Sequence, residues 1–193
     1  MANDIRSLCV YCGSSDGFVS AHATIAYDLG SCLAESNIRL VYGGAAVGLM
    51  GIVADAVLSN GGSVTGVITE HFHAAGITHH GLTECVITPD MHTRKAEMMR
   101  RADAFVALPG GIGTLEEVAE ALTWAHIGHH GKPVGFLNVG GFYDPLIQML
   151  DQMVAHGFYR HEQRDALVIA ETPTHLLEQL RVATWPNVTK WVK

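Results

Sequence analysis

The stretch PGGIGTLEE, which ends at Glu117, combines residues that bind an anion with a nearby carboxylate. It follows an apolar run and precedes an amphipathic segment, so the pattern predicts a strand, a glycine turn and a helix start. Gly110, Gly111 and Gly113 permit close approach of the backbone, and the unpaired N–H groups at the helix N-terminus attract negative charge. We therefore expect a phosphate in this turn, a few residues from Glu117.

Glu117 also has a purely structural interpretation. Thr114 and Glu117 have the spacing of a capping box, in which a hydroxyl and a carboxylate satisfy the first N–H groups of a helix and contribute roughly 1 kcal/mol. A helical wheel places Glu117 beside Trp124 and outside the expected core face, which comprises Leu115, Val118, Ala119, Leu122 and Ala125. An indole outside the core favours burial against a second subunit, which would enclose Glu117 in a partly dry pocket.

A second group of polar residues lies in MHTRKAEM, ahead of the strand that leads into the glycine turn. Arg94 and Lys95 begin a predicted helix there and can reach the same strand-end crevice. On spacing alone, the simpler interpretation is an exposed Arg94 paired with Glu97 or Glu116 and a solvated Lys95. Arg94 and Lys95 are therefore candidate site residues, and their burial decides between a role in the crevice and an exposed position.

Strands and helices alternate along the whole chain, and several strands are apolar throughout, which is typical of a parallel sheet covered on both faces. We predict strands over residues 7–11, 39–42, 63–68, 84–88, 104–108, 134–138 and 167–170, and helices over residues 21–33, 47–58, 90–101, 115–126, 144–156 and 174–182. The expected fold is a single α/β domain over residues 1–193, a Rossmann-like doubly wound sheet sandwiched by helices. In such sheets ligands bind at the carboxyl ends of the strands.

Three turns rich in glycine or serine follow predicted strands and can converge on one crevice. The first, CGSS, contains Ser14; the second, YGGAAVG, contains Gly43 and Gly44; the third is PGGIGT. None completes the GxGxxG fingerprint of a dinucleotide site, and no GKS or GKT follows as in a P-loop. A mononucleotide or sugar phosphate is the ligand class that remains.

The composition excludes several classes of partner. The chain has 12 Lys plus Arg against 19 Asp plus Glu, a net charge of −7, which argues against a nucleic-acid polymer. No apolar run reaches the ~18 residues of a membrane span, and the N-terminus lacks the pattern of a signal peptide, so we expect a cytoplasmic protein. Cys9 and Cys12 lie along a strand without a second pair, so we expect buried thiols, no metal and no cofactor.

Four motifs in this order, CVYCGSS, YGGAAVGLMG, MHTRKAEM and PGGIGTLEE, resemble the Lonely Guy family, the cytokinin-activating phosphoribohydrolases, some of which were long labelled lysine decarboxylases. The similarity extends over residues 8–180. It implies hydrolysis of the N-glycosidic bond of adenosine 5'-monophosphate or its N6-modified forms. It also implies a Rossmann-like fold and a homodimer with active sites at or near the interface.

The resemblance also assigns roles to residues. Arg94 and Glu117 correspond to the catalytic pair, in which Glu117 would stabilise positive charge on the ribose and Arg94 would orient the substrate. The implied substrate-binding residues are Ser14, Gly43, Gly44, Met91, Arg94, Lys95, Gly110, Gly111, Gly113 and Thr114. Asp90 is a candidate for protonating the leaving base. The alternative is a non-catalytic nucleotide or molybdenum-cofactor carrier, which has a similar fold; lysine decarboxylation ranks third.

Overall fold

The protein alternates strands and helices over residues 3–186, the part of the chain that the computed structural model describes. The strands are β1 (Ser7–Tyr11), β2 (Arg39–Tyr42), β3 (Val64–Thr69), β4 (Glu84–Thr88), β5 (Ala104–Ala107), β6 (Val134–Leu137) and β7 (Val168–Ala170). The helices are α1 (Ser20–Glu35), α2 (Gly48–Ser59), α3 (Glu70–Ala74), α4 (Met91–Arg101), α5 (Ile112–His126), α6 (Asp144–Ala155), α7 (His161–Asp165) and α8 (Pro173–Val182). Within residues 3–186 none of these helices has the length and apolarity needed to span a membrane.

The strands form one parallel sheet in the order β4-β3-β2-β1-β5-β6-β7, with β1 at its centre. Cys9 of β1 lies opposite Val41 of β2 on one side and Phe105 of β5 on the other. The chain therefore runs outward from β1 to β4 and then crosses back to begin the second half at β5. This reversal places a crevice at the carboxyl ends of β1 and β5 and confirms the predicted doubly wound α/β fold.

The sheet is covered on both faces, as the apolar strands predict. Leu8 and Val10 of β1 belong to the core cluster that packs under α1 and α2. Cys9 and Tyr11 belong to the cluster that packs under α4 and α5. Cys9 and Cys12 are free buried thiols, which confirms the interpretation of this CxxC as core residues.

Helix α5 differs from its predicted form. It begins at Ile112 with Gly111 as N-cap and no side-chain capping bond, and Thr114 is buried within its first turn, so the capping box is wrong. The core face is rotated as well: Leu115 is 40% exposed. Trp124 packs against the core instead of lying outside it. Ala121 is buried, whereas Ala119 is exposed. The helix starts three residues earlier than the cap pattern predicts because Gly111 closes the first turn.

Candidate active site

A cleft of about 540 Å³ opens at the carboxyl ends of the central strands. All three predicted turns line it, through Ser14, Gly43, Gly111 and Gly113. A cavity of this size suits a small organic ligand. The prediction that the turns converge on one crevice is therefore confirmed.

The glycine turn after β5 presents backbone to the cleft. The N–H of Gly13 donates to the carbonyl of Pro109 at 3.1 Å, which joins the first turn to the third. A Cβ on Gly110 would lie 2.1 Å from Thr114 Oγ1, so only glycine permits this approach. At Gly111, by contrast, a Cβ would meet nothing within 4 Å, because that side of the residue faces open space. The unpaired N–H groups at the start of α5 therefore face a space in which an anion fits.

Arg94 is buried at the cleft wall, with 7% of its surface exposed. Its Nε donates to the carbonyl of Val67 at 2.9 Å, and its Nη2 donates to the carbonyl of Gly43 at 3.1 Å. Both acceptors lie at or near the carboxyl ends of strands, so this side chain helps to fix α4 against the sheet. Met91 lies beside it in the cleft lining, with its sulfur 3.5 Å from Nη1 of Arg94.

The simpler interpretation of Arg94 as an exposed ion-pairing residue is wrong. Glu97 instead pairs with Arg100 and with Arg101 in α4. Glu116 pairs with Lys95. Arg94 is therefore held by uncharged carbonyl groups, and its positive charge is left for the cleft.

Glu117 lines the cleft as a partly buried carboxyl group on the first turns of α5. Burial raises the pKa of Glu117 to about 7. The positive charge of Arg94 opposes that rise, whereas the neighbouring Glu116 adds to it. A carboxyl group poised near neutral pH beside a guanidinium is a common feature of catalytic sites.

Some of the expected binding residues support the cleft without lining it. The amine of Lys95 is buried between Glu116 and Glu120, 3.2 Å from the second carboxylate, so the prediction of a solvated amine is wrong. Gly44 belongs to the second turn but does not line the cavity, and its carbonyl accepts from the N–H of His79 at 2.9 Å. Thr114 does line the cleft, on the side of the glycine turn.

One wall of the cleft comes from a histidine-rich loop that holds His71, His73, His79 and His80 and that the motifs did not place in the site. Phe72 of α3 and Ile77 line the cavity. The N–H of Ala46 donates to the carbonyl of Ile77 at 2.9 Å, and Ala45 bridges Thr78, so the loop is fixed to the second turn. The apolar residues between the histidines, in FHAAGI, are the signal that could have revealed this wall.

Comparison with known proteins agrees with this geometry. Residues 50–180 match the protein family described as "possible lysine decarboxylase". A probable cytokinin riboside 5'-monophosphate phosphoribohydrolase of rice, Oryza sativa subsp. japonica, is 49% identical over 175 residues, 91% of this chain and 72% of the rice protein. A cytokinin riboside 5'-monophosphate phosphoribohydrolase of Arabidopsis thaliana is 46% identical over 175 residues, 91% of this chain and 81% of that protein. The chain belongs to the Lonely Guy family.

The Lonely Guy fold of this chain is shared with proteins of other kinds. The molybdenum-cofactor carrier protein of Chlamydomonas reinhardtii superposes with a TM-score of 0.67, covers 89% of this chain and 93% of its own, and is 19% identical. At that identity the likeness concerns the fold alone. The sequence relatives therefore carry the functional argument, and the carrier alternative is not favoured.

Proposed function

We propose that this Lonely Guy protein hydrolyses the N-glycosidic bond of adenosine 5'-monophosphate or its N6-modified forms, releasing the free base and ribose 5-phosphate. The observation that carries the proposal is the arrangement of one cleft: Arg94 and Glu117 face a cavity that also contains a glycine turn and a helix N-terminus. The names of the rice and Arabidopsis relatives give the same class of substrate.

The proposed chemistry follows from the charges in the cleft. The 5'-phosphate binds at the glycine turn and the start of α5, which sets the ribose beside Glu117. Cleavage of a ribosyl C–N bond builds positive charge on the sugar, and an ionised Glu117 stabilises it. At ~4 Å and an effective dielectric near 20 the attraction is about 4 kcal/mol, or roughly a thousandfold in rate.

Arg94 orients the substrate and does not donate a proton, because a guanidinium stays protonated at any working pH and cannot serve as a general acid. Two of its N–H groups are already bonded to carbonyls, so the direction of its remaining donors is fixed before substrate arrives. Asp90, the candidate acid, caps α4 by accepting from the N–H of Thr93 at 2.7 Å. That bond lowers the pKa of Asp90, so it is a poor proton donor for the leaving base.

The exposed face of α5 supports a homodimer with the active site at its interface. Ile112 is 81% exposed and Leu115 is 40% exposed, and Ile112 also lines the cleft. We infer that a second subunit covers this face and closes the cleft from that side. All four cysteines are free, in keeping with a cytoplasmic protein.

Lysine decarboxylation through a pyridoxal Schiff base finds little support in the cleft. Lys95 is held in its ion pairs with two glutamates, and Nζ of Lys132 donates to the carbonyl of Met99 at 2.7 Å. Within residues 3–186 neither amine lines the cavity. Lys190 and Lys193, the other candidates, lie outside the described residues.

The test is to incubate the protein with adenosine 5'-monophosphate and to follow adenine and ribose 5-phosphate by chromatography. Adenine released in step with ribose 5-phosphate, and lost in Glu117→Gln, supports the proposal. A nucleotide that binds and is recovered unchanged would instead favour a carrier. A panel of isopentenyladenosine, guanosine and cytidine monophosphates then identifies the preferred base.

A further inference from the structure

Tyr11, at the end of β1, has a hydroxyl group that the proposed mechanism does not use. The side chain is 1% exposed and stacks on Phe105, with ring centroids 6.2 Å apart and planes at 2°. Among the described residues its hydroxyl has no hydrogen-bond partner. Buried hydroxyls in proteins are normally paired, because an unpaired one loses its bonds to water without replacement.

The surroundings of this hydroxyl are acidic. Tyr11 shares a core cluster with Val118 and Ala121 of α5, the helix that also carries Glu117. Burial raises the pKa of Tyr11 well above its ordinary value, the neighbouring thiol of Cys9 raises it next, and the charges of Glu117 and Glu120 raise it further. The phenol therefore remains protonated at neutral pH, as a hydrogen-bond donor close to carboxylates.

The cations that act on Glu117 already have partners. The titratable and charged groups facing it are Cys9 and Tyr11 from β1, Cys12 from the turn after β1, Arg94 and Lys95 from α4, and Glu116 and Glu120 from α5. Two N–H groups of Arg94 are bonded to carbonyls, and Lys95 is paired with both flanking glutamates. Burial keeps the two thiols protonated, since it raises the pKa of each. The hydroxyl of Tyr11 is the buried oxygen donor of this set that has no hydrogen-bond partner within residues 3–186.

We propose that Tyr11 is a positioning residue for Glu117: its hydroxyl donates a hydrogen bond to the ionised carboxylate during the reaction and holds it towards the ribose. This inference rests on the proposed function. The carboxylate needs such a donor because burial disfavours its charge, and a hydrogen bond to the charged form offsets that penalty. This bond is absent in the structure, so one of the two side chains must move for it to form.

Tyr11→Phe tests the proposal, because it removes the hydroxyl and keeps the ring. We measure kcat/KM for adenosine 5'-monophosphate from pH 5 to pH 9. Activity that needs ionised Glu117 falls as the pH drops through the pKa of that group. Loss of a hydrogen bond to the charged form moves this acidic limb upward by about one pH unit. The kcat/KM of Tyr11→Phe is therefore about tenfold below wild type at pH 6 and approaches the wild-type value at pH 9.

Tyr159→Phe is the matched control. The hydroxyl of Tyr159 is also buried without a partner in the described part of the chain, but its ring lies against His126, away from Glu117. We expect this variant to keep the wild-type pH profile. Both variants should melt at or above the wild-type temperature, because removal of an unpaired buried hydroxyl leaves no lost bond behind.

A direct titration separates this inference from the proposed function. The carboxyl of Glu117 is followed by carbon NMR and assigned by its disappearance in Glu117→Gln. An upward shift of its pKa in Tyr11→Phe supports the inference even if no adenine is released, whereas absent turnover in wild type would refute the proposed function. An unshifted titration, or equal activity loss at every pH with a lower melting temperature, would overturn the role of Tyr11.

Discussion

Glu117 occupies an environment that opposes its own charge. Burial raises its pKa to about 7, and the positive charges of Arg94 and Lys95 oppose that shift. The proposed reaction nevertheless needs the charged form, because the developing charge on ribose is positive. Because the buried carboxylate is poorly solvated, its attraction to the positive charge of the transition state is strong.

Glu117→Gln should lower adenine release about a thousandfold, since the amide keeps the size of the side chain but carries no charge. Turnover by chromatography and binding of adenosine 5'-monophosphate by calorimetry check this. Binding should persist within a few fold. A variant with full turnover would remove Glu117 from the mechanism.

The pKa of Glu117 also predicts how the stability of the Glu117→Gln variant differs from that of wild type. The pKa of Glu117 is about 7 in the folded protein against an ordinary 4.5, so the folded state binds this proton more tightly than the unfolded state. The free energy of unfolding therefore falls as pH rises from about 4.5 to 7. Glu117→Gln removes this loss, so between pH 4.5 and pH 8 the variant should gain about 3 kcal/mol relative to wild type. Urea unfolding at both pH values measures the difference; a gain that does not depend on pH would contradict it.

Arg94→Lys should lower turnover about a hundredfold although it keeps the charge. An ammonium on a flexible chain cannot reproduce the fork that donates to Val67 and Gly43, so the substrate loses its oriented partner. Arg100→Lys is the control, because Arg100 is an exposed residue of the same helix that pairs with Glu97. Equal rates for the two variants would remove Arg94 from the site.

At the scale of elements, hydrophobic patterns predicted the strands and major helices well, because several strands of this sheet are apolar throughout. The start of α5 was predicted wrongly. Thr114 and Glu117 match a capping box by spacing, but Gly111 already begins the helix and Thr114 is buried in its first turn. The short helix α3, five residues long, was missed because it has too few turns to show periodicity.

The site was predictable where it depends on turns and not where it depends on burial. Ser14, Gly43 and Gly111 converge because parallel strands end at the same edge, which sequence order reveals. The partners of Arg94 are backbone carbonyls, which no residue pattern encodes. The same holds for the wall formed by Phe72, since a loop is placed by contacts distant in sequence.

Gly111→Ala tests the glycine turn of α5. A Cβ there meets no protein atom within 4 Å and the φ of −94° suits alanine, so the melting temperature should not fall. The methyl group enters the space proposed for the phosphate, so KM for adenosine 5'-monophosphate should rise roughly tenfold. Gly131→Ala, another open position, is the control and should leave KM unchanged. An unaltered KM in Gly111→Ala would place the phosphate elsewhere.

At the scale of the whole molecule, the exposed apolar side chains of α5 mark the expected subunit interface. Leu115→Glu should convert a dimer into monomers and lower turnover at least tenfold, because a charge there cannot be buried against a partner. Sedimentation equilibrium and the adenine assay measure the two effects. Val182→Glu, which changes an exposed residue of α8, should affect neither. A wild-type monomer with full activity would refute the interface.

The central position of β1 also has a kinetic consequence. Leu8 pairs with Leu40 on one side and with Ala104 on the other, so the strand beneath the cleft finds its second partner across half the chain. Contacts between residues so distant in sequence form slowly, because a long loop must close before they are made. Arg94 and Glu117 lie on the helices that precede and follow β5 in the chain, and they meet only when that pairing is complete. Nucleotide cleavage should therefore appear late in refolding, after most of the helical signal has returned.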